Sequence, residues 1–172
     1  LKAVQKIGAQ DIAGPEALLL DAQGFLISGL HDGRIVRTSP DSPTLEVLAN
    51  TGGRPLGLAL HPDGRLIIAD GVKGLLALDP QRQLTVLSAS DNGVPFGFTN
   101  DVTIDAGGRY AYFSDASSRW GYGQDGEAVI LQVFTHVFVG HIVEGLGAPG
   151  CAQTIYRNHD ESQFRQRLVV AR

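Results

Sequence analysis

The sequence predicts an all-β chain of small repeated sheets, on three grounds: one pattern recurs, each recurrence holds a glycine turn, and the spacing suits four short strands. The pattern is first met at Pro15-Glu16-Ala17-Leu18-Leu19-Leu20-Asp21-Ala22-Gln23-Gly24-Phe25-Leu26-Ile27. It returns about 40 residues later as Pro55-Leu56-Gly57-Leu58-Ala59-Leu60-His61-Pro62-Asp63-Gly64-Arg65-Leu66-Ile67. A third copy, Asn100-Asp101-Val102-Thr103-Ile104-Asp105-Ala106-Gly107-Gly108-Arg109-Tyr110-Ala111-Tyr112, follows after about 44 more. Four-stranded propeller blades repeat at roughly this period, so the chain is expected to carry about three blades of a β-propeller.

Within each copy an apolar run enters a tight turn that ends in glycine, and a second apolar run leaves it. Hairpin turns of this kind need positive φ, which glycine adopts without the strain a Cβ imposes. Gln23-Gly24, Asp63-Gly64 and Gly107-Gly108 are therefore expected to join the first two strands of blades 1, 2 and 3. Third strands are predicted at Arg34-Ile35-Val36-Arg37, after Asp32-Gly33, and at Leu75-Leu76-Ala77-Leu78, after Gly74. Fourth strands are predicted at Leu45-Glu46-Val47-Leu48 and Leu84-Thr85-Val86-Leu87. Gly, Pro and Asp punctuate the chain too often for long helices.

The third copy breaks this rhythm after Asp115. Ser117-Ser118-Arg119-Trp120-Gly121-Tyr122-Gly123 reads as loop, and the next segment like a third strand, Gly140-His141-Ile142-Val143, arrives late enough to imply an insertion. A last strand is expected at Arg167-Leu168-Val169-Val170. The blades are thus expected to span about 14–49, 54–89 and, with the insertion, 98–172 of one domain covering 1–172. Observed propellers close with roughly four to eight blades. Three would leave apolar blade faces open, so self-association, as a homodimer or higher homo-oligomer, is expected to cover them.

Composition narrows the partners. The 172 residues are 43% hydrophobic and 19% charged, an ordinary globular balance, with a formal net charge of -4. That charge offers no basic field for phosphates, which argues against nucleic acid and anionic lipid. The most apolar stretch, Ala128 to Val143, is interrupted by Gln132, Thr135, His136, Gly140 and His141 and reads as a buried strand pair rather than a membrane span. One cysteine, Cys151, allows no internal disulfide. No signal peptide is visible, and a soluble protein of the cytoplasm or periplasm is expected.

Two segments carry a resemblance. Phe98-Thr99-Asn100-Asp101-Val102-Thr103-Ile104-Asp105, with Tyr112-Phe113-Ser114-Asp115-Ala116-Ser117-Ser118-Arg119-Trp120, resembles the signature region of strictosidine synthase-like proteins. Gly14-Pro15-Glu16 with Asp21, and Gly29-Leu30-His31-Asp32-Gly33-Arg34-Ile35, resemble their first blade. More distantly the pattern is similar to paraoxonases and gluconolactonases, over about residues 10–120. The resemblance implies a six-bladed-type propeller with an axial active site and, in the lactonase members, calcium or another divalent cation. It further implies that Glu16 supplies a carboxylate ligand and Asn100 an amide oxygen; Asp101 and Trp120 are candidate contacts of a small-molecule ligand, the aromatic ring packing there or on a partner chain. Such an ion prefers oxygen ligands and polarises an ester or lactone carbonyl. Leu56 stands where paraoxonases often have a histidine, which removes a candidate general base, and the other ligands of those relatives belong to later blades.

Each site residue keeps a simpler reading. Glu16 could be a solvated charge at a strand start, and Asn100-Asp101 an Asx turn opening the first strand of blade 3. His31-Asp32-Gly33 and His61-Pro62-Asp63-Gly64 read as turns. His136, His141 and His159 with Cys151 match no compact zinc spacing. Ser114-Asp115 and Ser117-Ser118 lack the Gly-x-Ser-x-Gly elbow of a serine nucleophile, so no catalytic residue is assigned. Trp120 and Tyr122 are expected in a loop over one mouth of the channel. Three functional readings stay open: a metal-dependent ester or lactone hydrolase assembled in an oligomer, a non-catalytic propeller module that binds a small ligand or a protein, and a folded remnant without activity.

Overall fold

The computed structural model of the chain describes residues 12–39, 41, 44–116, 136–141 and 152–157, with side chains as far as Ala116. Three antiparallel sheets, each of four strands in sequence order, make up the fold. Blade 1 holds β1 (Leu18–Leu20), β2 (Leu26–Gly29), β3 (Arg34–Thr38) and β4 (Leu45–Asn50). Blade 2 holds β5 (Pro55–Leu60), β6 (Leu66–Asp70), β7 (Gly74–Leu78) and β8 (Leu84–Ser88). A hairpin of β9 (Ser90–Asp91) and β10 (Val94–Pro95) leads to blade 3, with β11 (Thr99–Ile104), β12 (Tyr110–Asp115), β13 (His136–His141) and β14 (Ala152–Arg157). The described residues contain no helix, and so none long and apolar enough to cross a membrane. The fold is all-β: three propeller blades, not closed into a ring.

The predicted strands of blades 1 and 2 are all present, and blade 3 departs where its rhythm broke. Its third strand begins at His136, ahead of the predicted Gly140, and Ile142-Val143 lie outside the described residues. Its fourth strand is Ala152–Arg157 in place of Arg167-Leu168-Val169-Val170, which also lies outside them. The reason is register. Tyr112 and Phe113 on β12 pair with Val139 and Phe138, and this register sets the strand at His136–His141, ahead of the Gly-His-Ile-Val likeness.

Turn glycines behave as their sequence requires: Gly24, Gly64 and Gly108 have φ of 83, 93 and 68 degrees. Aspartates complete these turns. Asp21 Oδ1 accepts from the N–H of Gln23 and of Phe25 at 2.9 Å, and Asp105 accepts from the N–H of Gly107 and Tyr110 at 3.1 and 2.6 Å. In blade 2 His61 takes that first position, with Nε2 2.6 Å from Gly108 O in the next blade. Its Nδ1 lies 2.6 Å from Asp63 Oδ1.

Blade 2 is the filling of a sandwich. Alternate residues of β6 and β7 point to opposite faces. Ile67, Ala69, Leu75 and Ala77 pack on Val102, Ala111 and Phe113 of blade 3, while Leu66, Ile68, Leu76 and Leu78 pack on Ile27 and Ile35 of blade 1. Every residue of β6 and β7 is buried. Fully burying each large apolar side chain contributes about 1.5–3 kcal/mol, so both faces count toward stability. Blade 1 packs Ile27 and Ile35 on blade 2, and on its other face the row Leu18, Ser28, Val36, Val47 is buried at its two middle members and open at its two ends. Leu18, Leu20 and Val47, on the side away from blade 2, are 70%, 62% and 46% exposed.

Adjacent blades converge along β1, β5 and β11. A Cβ on Gly57 of β5 would lie 2.7 Å from Asp101 Cα and 2.8 Å from Val102 N, closer than any side chain permits. Bare backbone at Gly57 therefore lets β11 lie against β5, which makes these the innermost strands. The outermost strands, β4 and β8, are correspondingly the more exposed.

Candidate functional site

Glu16, Leu56 and Asn100 occupy one position of the repeat, each the same distance ahead of its turn glycine Gly24, Gly64 or Gly108. All three stand where an innermost strand begins. This upper end of the sheets also carries the β2–β3 and β6–β7 turns, the connections between blades, and the long β12–β13 connection. The register of β5 on β6 slips between Pro55 and Gly57, and that of β11 on β12 between Thr99 and Val102. Such bulges bend a strand and re-aim its side chains. Leu56, Asn100 and Asp101 all sit in them.

The three equivalent side chains have different surroundings. Glu16 is anchored through its backbone, its N–H donating to Gly29 O at 3.3 Å, while its side chain is 55% exposed. Leu56 is buried with Phe98 and Ala116. Asn100 is half-buried, and Asp101 is exposed. Asp101 N–H donates to Ser114 Oγ at 3.2 Å, and Val102 N–H donates to Asp101 Oδ1 at 2.9 Å. The Asx-turn reading is thus replaced by a bulge whose carboxylate holds the next amide.

Beside Glu16 lies a residue that the sequence reading passed over. Arg54, two positions before Leu56, is buried, and its guanidinium reaches back to blade 1. Its Nη1 donates to Gly14 O at 2.8 Å, and its Nη2 is 3.6 Å from Glu16 Oε2. Its backbone is held as firmly, with the N–H donating to Asp70 Oδ1 at 2.9 Å and the carbonyl accepting from Gly71 N–H at 2.8 Å. Asp70, fully buried at the end of β6, also accepts from the N–H of Val72 and Lys73 at 2.9 and 3.0 Å.

Blade 3 repeats this brace. Asp115, at the end of β12, accepts from the N–H of Gly97 and Phe98 at 3.0 and 2.5 Å, and Ala116 N–H donates to Phe98 O at 2.7 Å. Asp115 therefore corresponds to Asp70, and Phe98 to Arg54. In Ser114-Asp115 the carboxylate accepts from backbone amides and the hydroxyl from the Asp101 N–H.

The other predicted features separate from this end. His61 sits in the turn at the lower end of blade 2, as expected of turn chemistry. Trp120, Tyr122, Cys151 and His159 lie outside the described residues, and His136 and His141 are described only as strand positions. The β9–β10 hairpin was missed, although Asn92-Gly93 at its tip, with φ of 48 and 82 degrees, is the strongest short hairpin signal in the sequence.

The donors do not fit the calcium shell that the resemblance implies. Such a shell takes about 6 to 8 oxygens. Here the repeat position offers one carboxylate, already beside a guanidinium, one amide and one leucine. No group of three or more His, Cys, Asp or Glu among the described residues could hold a metal.

Comparison with known proteins places these blades. The sequence model of the family described as strictosidine synthase-like, N-terminal, matches residues 1–38. An adipocyte plasma membrane-associated protein of Rattus norvegicus is 32% identical over 137 residues, covering 70% of this chain and 36% of the relative. Strictosidine synthase-like protein 4 of Arabidopsis thaliana is 35% identical over 130 residues, covering 72% of this chain and 35% of the relative. The chain belongs to the strictosidine synthase-like family. It spans about a third of the length of the curated relatives it matches. Among solved structures a gluconolactonase of Xanthomonas campestris superposes with a TM-score of 0.62 at 19% identity, over 85% of this chain and 48% of that one. That likeness shows the propeller fold.

Proposed function

We propose that this strictosidine synthase-like chain contributes the first blades of a small-molecule site at the upper, axial end of a propeller, in an enzyme of the ester- or lactone-hydrolase class. The observation that carries the reading is the repeat position itself. In three successive blades the residue opening the innermost strand faces the same end, and the two flanking ones, Glu16 and Asn100, are polar and at least partly accessible. A carboxylate and a carboxamide there can accept from and donate to a ligand, while Leu56 between them is turned into the core. Asp101, exposed beside Asn100, is a further ligand contact in this reading, as is Trp120, which lies outside the described residues.

Further blades are needed to complete such a site. The exposed Leu18, Leu20 and Val47 of blade 1 support a second copy of this chain as the partner, each copy covering the other's exposed apolar residues. No step through a divalent ion is included, because the donors do not fit one. Hydrolysis of a panel of phenyl esters and aliphatic lactones by the purified chain tests the chemistry, with Glu16→Gln and Asn100→Ala as variants and light scattering for the assembly. We expect a dimer or larger species whose hydrolysis falls at least tenfold in each variant. Hydrolysis indifferent to both substitutions sinks the catalytic reading. A monomer at micromolar concentration sinks the self-association.

A second reading has one observation in its favour. Leu56 is buried against Phe98 and Ala116. No general base stands at the middle of the three positions, as suits a module that binds its ligand without turning it over. Ligand binding abolished by Asn100→Ala, in a chain with no hydrolase activity, would decide for it.

A further inference from the structure

We infer that Arg54, rather than a divalent cation, is the charge partner of Glu16, and that Arg54 positions this carboxylate at a metal-independent site. The inference deepens the proposed function and rests on it for the location of the site, but its core is a repeat comparison internal to the chain. Position by position, the pair Glu16 and Arg54 at the junction of blades 1 and 2 corresponds to the pair Leu56 and Phe98 at the junction of blades 2 and 3. The second pair packs as one apolar cluster. The first spans the same junction as an ion pair, with 3.6 Å between Arg54 Nη2 and Glu16 Oε2. Where one residue of the pair is charged its partner carries the opposite charge, and where one is apolar so is the other.

Burial makes this charge hard to displace. The Arg54 side chain is 7% exposed, its guanidinium donates to Gly14 O, and its backbone is held by Asp70 and Gly71. A guanidinium stays cationic throughout the physiological range. Calcium bound to Glu16 would sit about 2.3–2.6 Å from its oxygens, next to that fixed positive charge. Glu16 and Arg54 together are neutral, Leu56 and Asn100 add no charge, and Asp101 is one blade further round with an oxygen on Val102 N–H. Among the described residues the local balance therefore lacks the excess of carboxylate that a dication needs. Arg54 Nη2 faces Oε2 at 3.6 Å, which leaves Oε1 as a hydrogen-bond acceptor for a ligand.

Thermal unfolding of the assembled chain, in calcium and in chelator, tests this with wild type, Glu16→Gln, Arg54→Gln, Arg54→Lys and the double Glu16→Gln/Arg54→Gln variant. We expect the wild-type midpoint to be the same in calcium and chelator. Each Gln substitution should lower it by several degrees, and the double variant should lose clearly less than the two losses added, because the second removes a partner already missing. Arg54→Lys, which keeps the charge, should retain most of the midpoint and keeps the experiment readable if Arg54→Gln does not fold. A calcium-induced rise of more than about 2 °C in wild type that Glu16→Gln abolishes would overturn the inference, as would strictly additive losses. Neither outcome depends on hydrolysis, so a chain without esterase activity removes the functional reading while leaving this one to stand or fall on its own.

Discussion

The two junctions between blades solve one packing problem with opposite chemistry. Both bring innermost strands together, and at both the second strand of the later blade ends in an aspartate, Asp70 or Asp115, that holds the connection before it by backbone N–H groups. At the first junction the position ahead of the strand is Arg54, whose partner across the seam is Glu16; at the second it is Phe98, whose partner is Leu56. A shared backbone brace with exchangeable side-chain pairs teaches that the brace fixes geometry and the pair sets the character of the upper end. The charged pair leaves Glu16 accessible, while the apolar pair withdraws Leu56 from any ligand.

The largest expected effect tests the apolar junction. Phe98→Ala removes a buried ring from a cluster with Leu56 and Ala116 and should cost about 3–5 kcal/mol, read by denaturant unfolding. A cost near zero would mean that the cluster does not hold blades 2 and 3 together. Asp70→Ala tests the brace. Three N–H groups, of Arg54, Val72 and Lys73, lose their acceptor, and a loss of about 2–4 kcal/mol is expected from their desolvation.

Exchange of the pairs sharpens the comparison. Leu56→Glu alone should cost about 3 kcal/mol or more, since it buries a carboxylate in an apolar cluster. Adding Phe98→Arg should recover part of that loss if the two junctions are built alike. Additive losses in this double variant would show that the charged pair works only in the surroundings of blade 1. At the charged junction Glu16→Gln should cost about 1–2 kcal/mol, less than the apolar change, because the Glu16 side chain is half in solvent.

The smallest effect concerns pH and belongs to the turns. At Asp21 and Asp63 burial opposes ionisation, but the backbone N–H of Phe25 or Arg65 and the side chains of Arg37, or of His61 and Arg65, outweigh it and lower the pKa. At Asp32 burial is likewise outweighed by Arg34. At Asp105 the Tyr110 N–H is the main influence and lowers it. A lowered folded value stabilises the protein above the unfolded value of about 3.9, and the contribution is lost as pH falls through the folded value. Thermal midpoints should thus hold down to about pH 5 and drop below about pH 4, with Asp21→Asn flattening part of the drop. A midpoint that falls already between about pH 7 and 5 would point to other groups.

Legibility in the sequence followed the range of the interactions involved. Blades 1 and 2 could be read strand by strand, because alternation along each strand and a glycine or aspartate in each turn are local signals. Blade 3 could be read only to Asp115. Beyond it His136–His141 was seated by pairing with a strand on the far side of a long connection, and the Gly140-His141-Ile142-Val143 likeness to blade 1 pointed a few residues too late. The upper end was half legible. The repeat marked Glu16 and Asn100, but Arg54 stands in a connection, carries no motif, and gains its meaning only from Gly14 and Glu16 across a junction of blades. Comparing the copies two positions ahead of Leu56 and Asn100 would have set Arg54 beside Phe98 and raised the question.

What the sequence by itself determined was the unit: a four-stranded antiparallel blade, repeated at a fixed period, with turns dictated by residues that tolerate positive φ. These are properties of neighbours in the chain, so spacing and residue type suffice to state them. The tertiary structure decided how one unit meets the next. Whether a junction is an ion pair or an apolar cluster depends on side chains some 40 residues apart sharing one buried space. Burial then commits Arg54 to Glu16 and Phe98 to Leu56, because an unpaired charge or an unfilled void costs more there than anywhere on the surface.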